Sequence, residues 1–347
     1  VTGPFTAGGA GASSLLRDRV GRMLRDRMGE GVRLEGFEVM TDGHAGLTFG
    51  VDAVDGGQRL SLILKMAPSG VPLRGSTDVY RQARLLTELH ASGLPVPHVV
   101  MASADDTEIG APFIAMERLP GRSFVIWEPH ETFSDDPDFM LGLWTQAAMM
   151  MGALHSFPWR PSLVDWEQPT TLRAELDRWQ ALLRHTEDPD WRRSAEDLYA
   201  RLMATIPTEG DPSVIHGDFQ PGNVLYHNGR ASGLIDWDLG GIGAPGIDVG
   251  WLVMMADRDG WEAGWKPRGA PPIDRLLAAY RAGGGGVIDH LGWYRAFAHF
   301  RLGSIAGLNL KLHRSGRRVD AVWERFVPSI LCLLRIAGDL IGKEKTE

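Results

Sequence analysis

The side chains with the most chemistry to offer lie between Pro212 and Trp251, where two His, four Asp and two Asn are set among short apolar runs and turn residues. Carboxylates and amides at that density are oxygen donors for a cation and acceptors for a proton, and their spacing says which of them can meet. Val214 and Ile215 read as a short buried strand, residues 216–222 as a loop too rich in Gly and Pro for a helix, and residues 224–226 as a second strand. Asn228-Gly229 then predicts a two-residue hairpin, because a type I′ turn needs positive φ at both central residues. With His227 opposite Arg230, counting outward sets Asn223 opposite Leu234. Asp236 becomes the diagonal neighbour of Asn223, roughly 7 to 8 Å away between backbones. Two oxygen-bearing side chains at that separation can share a hard cation, and Mg2+ carrying a nucleotide's phosphates suits so small a protein ligand set. Asp218, on the loop before the hairpin, is near enough to the same cation to meet a substrate hydroxyl.

The order His216, Asp218, Asn223 follows the catalytic-loop template H-x-D-x-x-x-x-N, with Asp236 in the place of the metal-binding Asp of the following strand. His216-Gly217-Asp218-Phe219-Gln220-Pro221-Gly222-Asn223, with Leu234-Ile235-Asp236-Trp237-Asp238, resembles the aminoglycoside phosphotransferase family. That family is a branch of the protein-kinase-like superfamily and also includes kinases of choline, homoserine and other small alcohols. The resemblance implies Asp218 as the catalytic residue that orients and deprotonates an acceptor hydroxyl, Asn223 and Asp236 as the holders of Mg2+, and His216 as a brace for the loop. It also implies that Asp248, within Gly246-Ile247-Asp248-Val249-Gly250, ties the loop together through backbone amides, and that Asp238 is structural beside the site. A His-Gly-Asp tripeptide alone is ordinary loop material, since Asp and Asn are common turn formers. Eight positions in register, followed by a hairpin and a second Asp, carry the likeness.

These residues need elements to hold them. Residues 15–28, with Leu16, Val20, Leu24 and Met28 at intervals of four, predict an amphipathic helix, and residues 33–41, 47–53 and 59–66 predict strands of an antiparallel meander. Gly43, His44 and Gly46 lie between the first two strands, where glycines let backbone amides approach phosphate oxygens; the plainer reading is a turn. Lys65 ends an apolar strand, so its ammonium is costly to bury without an anion. The resemblance makes it the strand lysine that contacts the α and β phosphates, against the plainer reading of a lysine reaching out to water. Residues 80–90 predict a helix with Leu85, Leu86 and Leu89 on one side. Family members usually carry a Glu near its start to pair with that lysine, whereas here Gln82 stands thirteen residues before Pro95. A neutral amide cannot balance the charge, so either Glu88 substitutes or the phosphates alone neutralise Lys65. Residues 113–116 predict a strand that leads into Glu117-Arg118-Leu119-Pro120-Gly121, which resembles the family's hinge. Adenine recognition would then fall to backbone groups near Met116, Glu117 and Arg118, with a plain surface charge the equal reading of Glu117.

The second half reads as mostly helical: residues 138–157, 172–184, 191–206, 273–281, 289–313 and 319–341. The Met-rich stripe of the first of these is core, and His155 at its end is structural. Residues 257–272 form a polar loop with Trp261 and Trp265, suited either to an acceptor-binding wall or to plain solvation. Arg301 either faces the cleft or, in the plainer reading, is a structural ion-pair partner. The fold expected is therefore α+β, a two-lobed protein-kinase-like fold. Its antiparallel-sheet nucleotide-binding lobe would cover residues 1–116, and its mostly helical catalytic and acceptor-binding lobe residues 117–347.

Composition sets the outer bounds. The 347 residues are 44% hydrophobic, enough for a substantial core, and 36 Lys plus Arg against 44 Asp plus Glu give a net charge of −8. That balance argues against a nucleic-acid partner and favours neutral or cationic small partners. Cys332, the single cysteine, cannot form an internal disulfide and reads as a buried core thiol. No run of 18 apolar residues suggests a membrane span, and residues 1–14 lack the apolar core of a signal peptide, so the expectation is a cytoplasmic protein with a loose N-terminus. The function expected is ATP- and Mg2+-dependent transfer of the γ-phosphate to a hydroxyl of a small molecule, with an aminoglycoside as one acceptor class. The alternative, prompted by Gln82, is a nucleotide-binding module without transfer activity. The oligomeric state has no signature in the sequence.

Overall fold

In a computed structural model of the chain, the residues described are 10–40, 47–68, 72–73, 75–262 and 264–344. In chain order the first elements are α1 (Ala10–Met28), β1 (Arg33–Met40), β2 (Leu47–Asp55), β3 (Gln58–Met66), α2 (Arg81–Ala91), β4 (Val99–Ser103) and β5 (Phe113–Glu117). They are followed by β6 (Arg122–Ser123), α3 (Pro137–His155), α4 (Arg160–Leu163), α5 (Leu172–Gln180), α6 (Pro189–Ala204), β7 (Ser213–Ile215), β8 (Val224–His227), β9 (Arg230–Leu234) and β10 (Gly241–Gly243). The chain then runs through α7 (Gly246–Ala256), α8 (Ile273–Ala282), α9 (Leu291–Arg314) and α10 (Val322–Glu344).

The chain forms two compact units: the described residues up to Gly121 together with Ser232–Leu239, and Arg122–Ala231 together with Gly240–Glu347. Residues 232–239 thus return to the first unit, for which the single expected cut after Met116 leaves no place. In the first unit a five-stranded antiparallel sheet has the order β1-β2-β3-β5-β4. The β-branched and apolar alternation of β2 and β3 sends Phe49, Val51, Leu62 and Leu64 to one face, where Leu16, Val20 and Leu24 of α1 cover them. This is the amphipathic face that spacing predicts, although α1 starts earlier, so Ala10–Ser14 is helical rather than loose. β4 has no counterpart in the expected strands: it follows Pro97 and alternates weakly.

The second unit is mostly helical. Three of its helices begin at Asp-Pro or Thr signals: Asp136 accepts the Phe139 N–H before α3, Asp188 the Trp191 N–H before α6, and Thr171 the Ala174 N–H before α5. α3 and α8 pack so closely that a Cβ on Gly152 would run into the Tyr280 carbonyl, and α7 meets α9 where a Cβ on Gly250 would lie 2.5 Å from the Tyr294 carbonyl oxygen. The hairpin forms as expected, with Asn228 at φ 50° and Gly229 at φ 73° between β8 and β9. Cys332 departs from expectation: it is half-buried on α10, and its Sγ lies 3.7 Å from an Arg335 nitrogen. Among the described residues no helix is long and apolar enough to cross a membrane.

Candidate active site

The loop that carries Asp218 is fixed at its start by the pairing of β7 with β10, where Ile215 lies opposite Gly241. The next two amides are clamped by one acid. Asp248, in the first turn of α7, accepts the His216 N–H at 2.6 Å and the Gly217 N–H at 2.8 Å. Gly217 has φ 81°, a left-handed conformation that a residue with a Cβ adopts at a cost. The clamp is itself anchored: His155 lies between Asp248 (3.2 Å) and the Tyr280 hydroxyl (3.0 Å). Burial pushes the Asp248 carboxyl up, but His155, His216 and the amide donors outweigh it and hold the pKa below its ordinary value.

Past the clamp, the Asp218 N–H donates to His216 Nδ1 at 3.3 Å, so the histidine turns the chain. Asn223 Nδ2 donates to both the backbone carbonyl (2.8 Å) and the carboxylate (3.1 Å) of Asp218, and Gln220 Nε2 lies 3.4 Å from the other carboxylate oxygen. The Asp218 carboxylate is oriented by amides on both oxygens.

The first unit brings a second set together. Lys65 Nζ lies 2.6 Å from Asp238 and 3.5 Å from Asp236, and Gln82 Nε2 donates to the same Asp238 oxygen at 2.9 Å. Lys65 is 8% exposed. Burial alone would lower its pKa; the two carboxylates outweigh it and hold the pKa above the ordinary lysine value. Neither Glu88 nor phosphate is therefore needed as the counter-charge of Lys65. Asp238 supplies it, and Gln82 fits beside that acid because an amide can donate where a second carboxylate would repel. Asp236, with φ 64°, occupies the left-handed region, sparsely populated by residues other than glycine, and such strain gathers at functional sites.

A model of the phosphotransferase enzyme family matches residues 40–297. The chain belongs to that family. Among solved structures, one from Ralstonia eutropha, provisionally described as an aminoglycoside phosphotransferase, covers 94% of this chain and 98% of its own at TM-score 0.73 and 20% identity. The aminoglycoside phosphotransferase APH(4)-Ia, solved as a ternary complex with ADP and hygromycin B, covers 93% and 97% at TM-score 0.55 and 16% identity. Both are likenesses of fold, the two-part arrangement of kinase-like phosphotransferases. Mouse acyl-CoA dehydrogenase family member 10 is 24% identical over 82% of this chain, but the chain spans only 27% of that protein's length.

Against this family frame, the residues expected to hold Mg2+ can be tested by their donors. The amide nitrogen of Asn223 is spent on Asp218, which leaves its carbonyl oxygen, and Asp236 keeps a carboxylate that is 35% exposed. Both are hard oxygen donors, the type Mg2+ takes, and the set is too small for a cation held by protein alone. Among the described residues no cluster of three or more His, Cys, Asp or Glu forms that could hold a metal. Asn223 and Asp236, each within its own unit, are thus of the donor type that Mg2+ takes. Gly43, His44 and Gly46 lie outside the described residues. At Met116–Arg118 the Glu117 and Arg118 N–H groups are already donated, to His98 and Ser61 carbonyls at 2.9 Å each.

Three features are not foreseen by spacing. The His155–Asp248–Tyr280 chain joins residues far apart in sequence, and no local pattern signals it. Trp261 and Trp265 do not line an open wall: both are buried and pack with Trp127 and Phe326. Among the described residues Arg301 makes no ion pair; it lies between the rings of Trp179 and Trp251.

Proposed function

We infer that the chain transfers the γ-phosphate of ATP to a hydroxyl of a small molecule, with Mg2+. The observation that carries the reading is the Asp218 carboxylate, fixed by amide donors on a loop whose amides are clamped by Asp248. A base so held needs no reorganisation when a hydroxyl arrives. In the proposed step the acceptor O–H gives its proton to Asp218 as its oxygen attacks the γ-phosphorus. The bond from that phosphorus to the β–γ bridging oxygen breaks, and ADP leaves. Lys65 steadies the α and β phosphates, and the Asn223 amide oxygen with the Asp236 carboxylate would hold the cation. Mg2+, when bound, neutralises charge that develops on the phosphate oxygens.

The ADP in the complex of APH(4)-Ia supports a nucleotide donor. Gln82 was the ground for the alternative of a module without transfer activity. With Asp238 as the counter-charge of Lys65, that ground no longer favours it. A coupled ADP-release screen over alcohols, amino alcohols, sugars, hydroxy acids and aminoglycosides tests the reading. Turnover with at least one class, lost by about 10²- to 10⁴-fold in Asp218→Asn, is expected. Turnover left intact in that variant removes Asp218 as the base, and ADP release with no acceptor class removes the transfer reading.

A further inference from the structure

Lys65 faces two carboxylates on one turn, and the step above gives a part to only one of them. Its ammonium lies 2.6 Å from Asp238 and 3.5 Å from Asp236. The lysine stands inside the first unit's sheet, with Thr48 of β2 and Ile114 of β5 as its strand neighbours, and its side chain is 10% exposed. The turn is itself pinned: Trp237, between the two acids, is 2% exposed and donates its indole N–H to the Leu234 carbonyl at 3.0 Å. Asp238 is braced from a further side, because Gln82 of α2, 1% exposed, donates to the same oxygen that Lys65 meets.

Two carboxylates therefore share one ammonium. A lysine on its flexible four-carbon stem settles on the acid that meets it best, and an acid so engaged is a poorer ligand for a divalent cation, since two positive charges then compete for one carboxylate. Here the shorter contact goes to Asp238, whose side chain is 12% exposed, and the longer one to Asp236, which is 35% exposed and more open to a ligand. Gln82 widens the difference. Its amide donates to Asp238 and brings no charge of its own.

We propose that Asp238, braced by Gln82, is a positioning residue: it takes up the charge of Lys65 and so keeps Asp236 available to Mg2+, while the ammonium stays fixed for the phosphates. The proposal rests on the phosphotransfer reading above and deepens it. All four side chains belong to the first unit, so the placing of the lysine against the proposed metal ligand is set within that unit. Charge is the property required of residue 238. Gln82 and Lys65 converge on one of its oxygens, so a carboxylate supplied from position 82 replaces it.

A charge-relocation cycle tests it with the parent protein, Asp238→Asn, Gln82→Glu and the double variant. ATP binding is read by titration calorimetry over a range of Mg2+ concentrations, at a temperature where thermal unfolding shows each protein folded. Release of Lys65 is read without nucleotide, as its rate of acylation by an amine-reactive ester followed by mass spectrometry. Asp238→Asn is expected to raise the Mg2+ concentration for half-maximal ATP binding by about 10- to 100-fold, the usual cost of losing a group that orients a metal ligand, and to speed the acylation. Gln82→Glu, which lowers stability in the parent, is expected to bring both readouts back toward the parent's once Asp238 is Asn. Should Asp238→Asn not fold, the double variant carries the comparison, with a Mg2+ requirement close to the parent's expected. A folded Asp238→Asn protein that needs no more Mg2+ than the parent overturns the proposal, and so does a double variant with an Mg2+ requirement well above the parent's. With ATP binding still dependent on Lys65, the phosphotransfer reading survives either result. ATP bound as tightly by Lys65→Met as by the parent, or by neither, removes Lys65 from the phosphates and that reading with it. Acylation faster in Asp238→Asn and slowed again in the double variant then still upholds Asp238 as the residue that holds the lysine.

Discussion

At the scale of single residues, the site is built from charges that are paired before any ligand arrives. Lys65 and Asp238 are both largely buried, with side chains 10% and 12% exposed. Removing Asp238 leaves Lys65 only the longer contact with Asp236 at 3.5 Å, so Asp238→Ala is expected to lower the unfolding free energy by less than the roughly 3–5 kcal/mol of a fully stranded buried charge. Denaturant titration reads this, and adding Lys65→Met should recover part of the loss. Gln82→Glu places a carboxylate where the amide now donates to Asp238 at 2.9 Å. Here it is expected to lower the melting temperature rather than raise it. Asp248 supplies two backbone amides with their acceptor, and Asp248→Asn leaves one carboxylate oxygen's worth of acceptance to a group that also donates. Its depressed pKa means that its contribution to stability is present above the unfolded value of 3.8 and is lost as pH falls through the lower folded value.

Helices set where these residues stand, and their packing leaves little slack. Gly152 on α3 faces the Tyr280 carbonyl at the α8 contact, and α3 ends at His155, the residue that anchors Asp248. Gly152→Ala is therefore expected to destabilise by about 1–3 kcal/mol through overpacking and to lower phosphotransfer with it, measured by unfolding and turnover in parallel. On α9, His299 is buried with its pKa pushed down to about 4, first by burial, while Nδ1 lies 2.6 Å from the Arg295 carbonyl. The folded state favours the neutral ring, so stability is fully present above pH 6.5 and falls as pH drops toward and past about 4. The shift corresponds to roughly 3 kcal/mol. His299→Gln should flatten that part of the stability profile in pH-dependent denaturation.

For the molecule as a whole, Lys65, proposed to steady the phosphates, and Asp218, the proposed base, belong to different compact units. Nucleotide binding and transfer should separate by mutation. ATP with Mg2+ at a hundredfold its Kd should stabilise the protein by about 2.7 kcal/mol. Thermal shift is expected to retain that gain in Asp218→Asn and lose it in Lys65→Met. Sequence alone settled much of this chain. The eight positions from His216 to Asn223, the Asn228-Gly229 turn and the period-four stripe of α1 are local signals, and local signals fix turn type, helix face and strand alternation through backbone sterics and short-range burial. What it left open was decided by contacts between residues remote in sequence. Asp238 as the partner of Lys65, His155 behind Asp248, and Arg301 clasped by Trp179 and Trp251 depend on which helix and strand pack together. Whether a buried charge finds a carboxylate, an amide or an aromatic face is set by that packing, and no spacing along the chain records it.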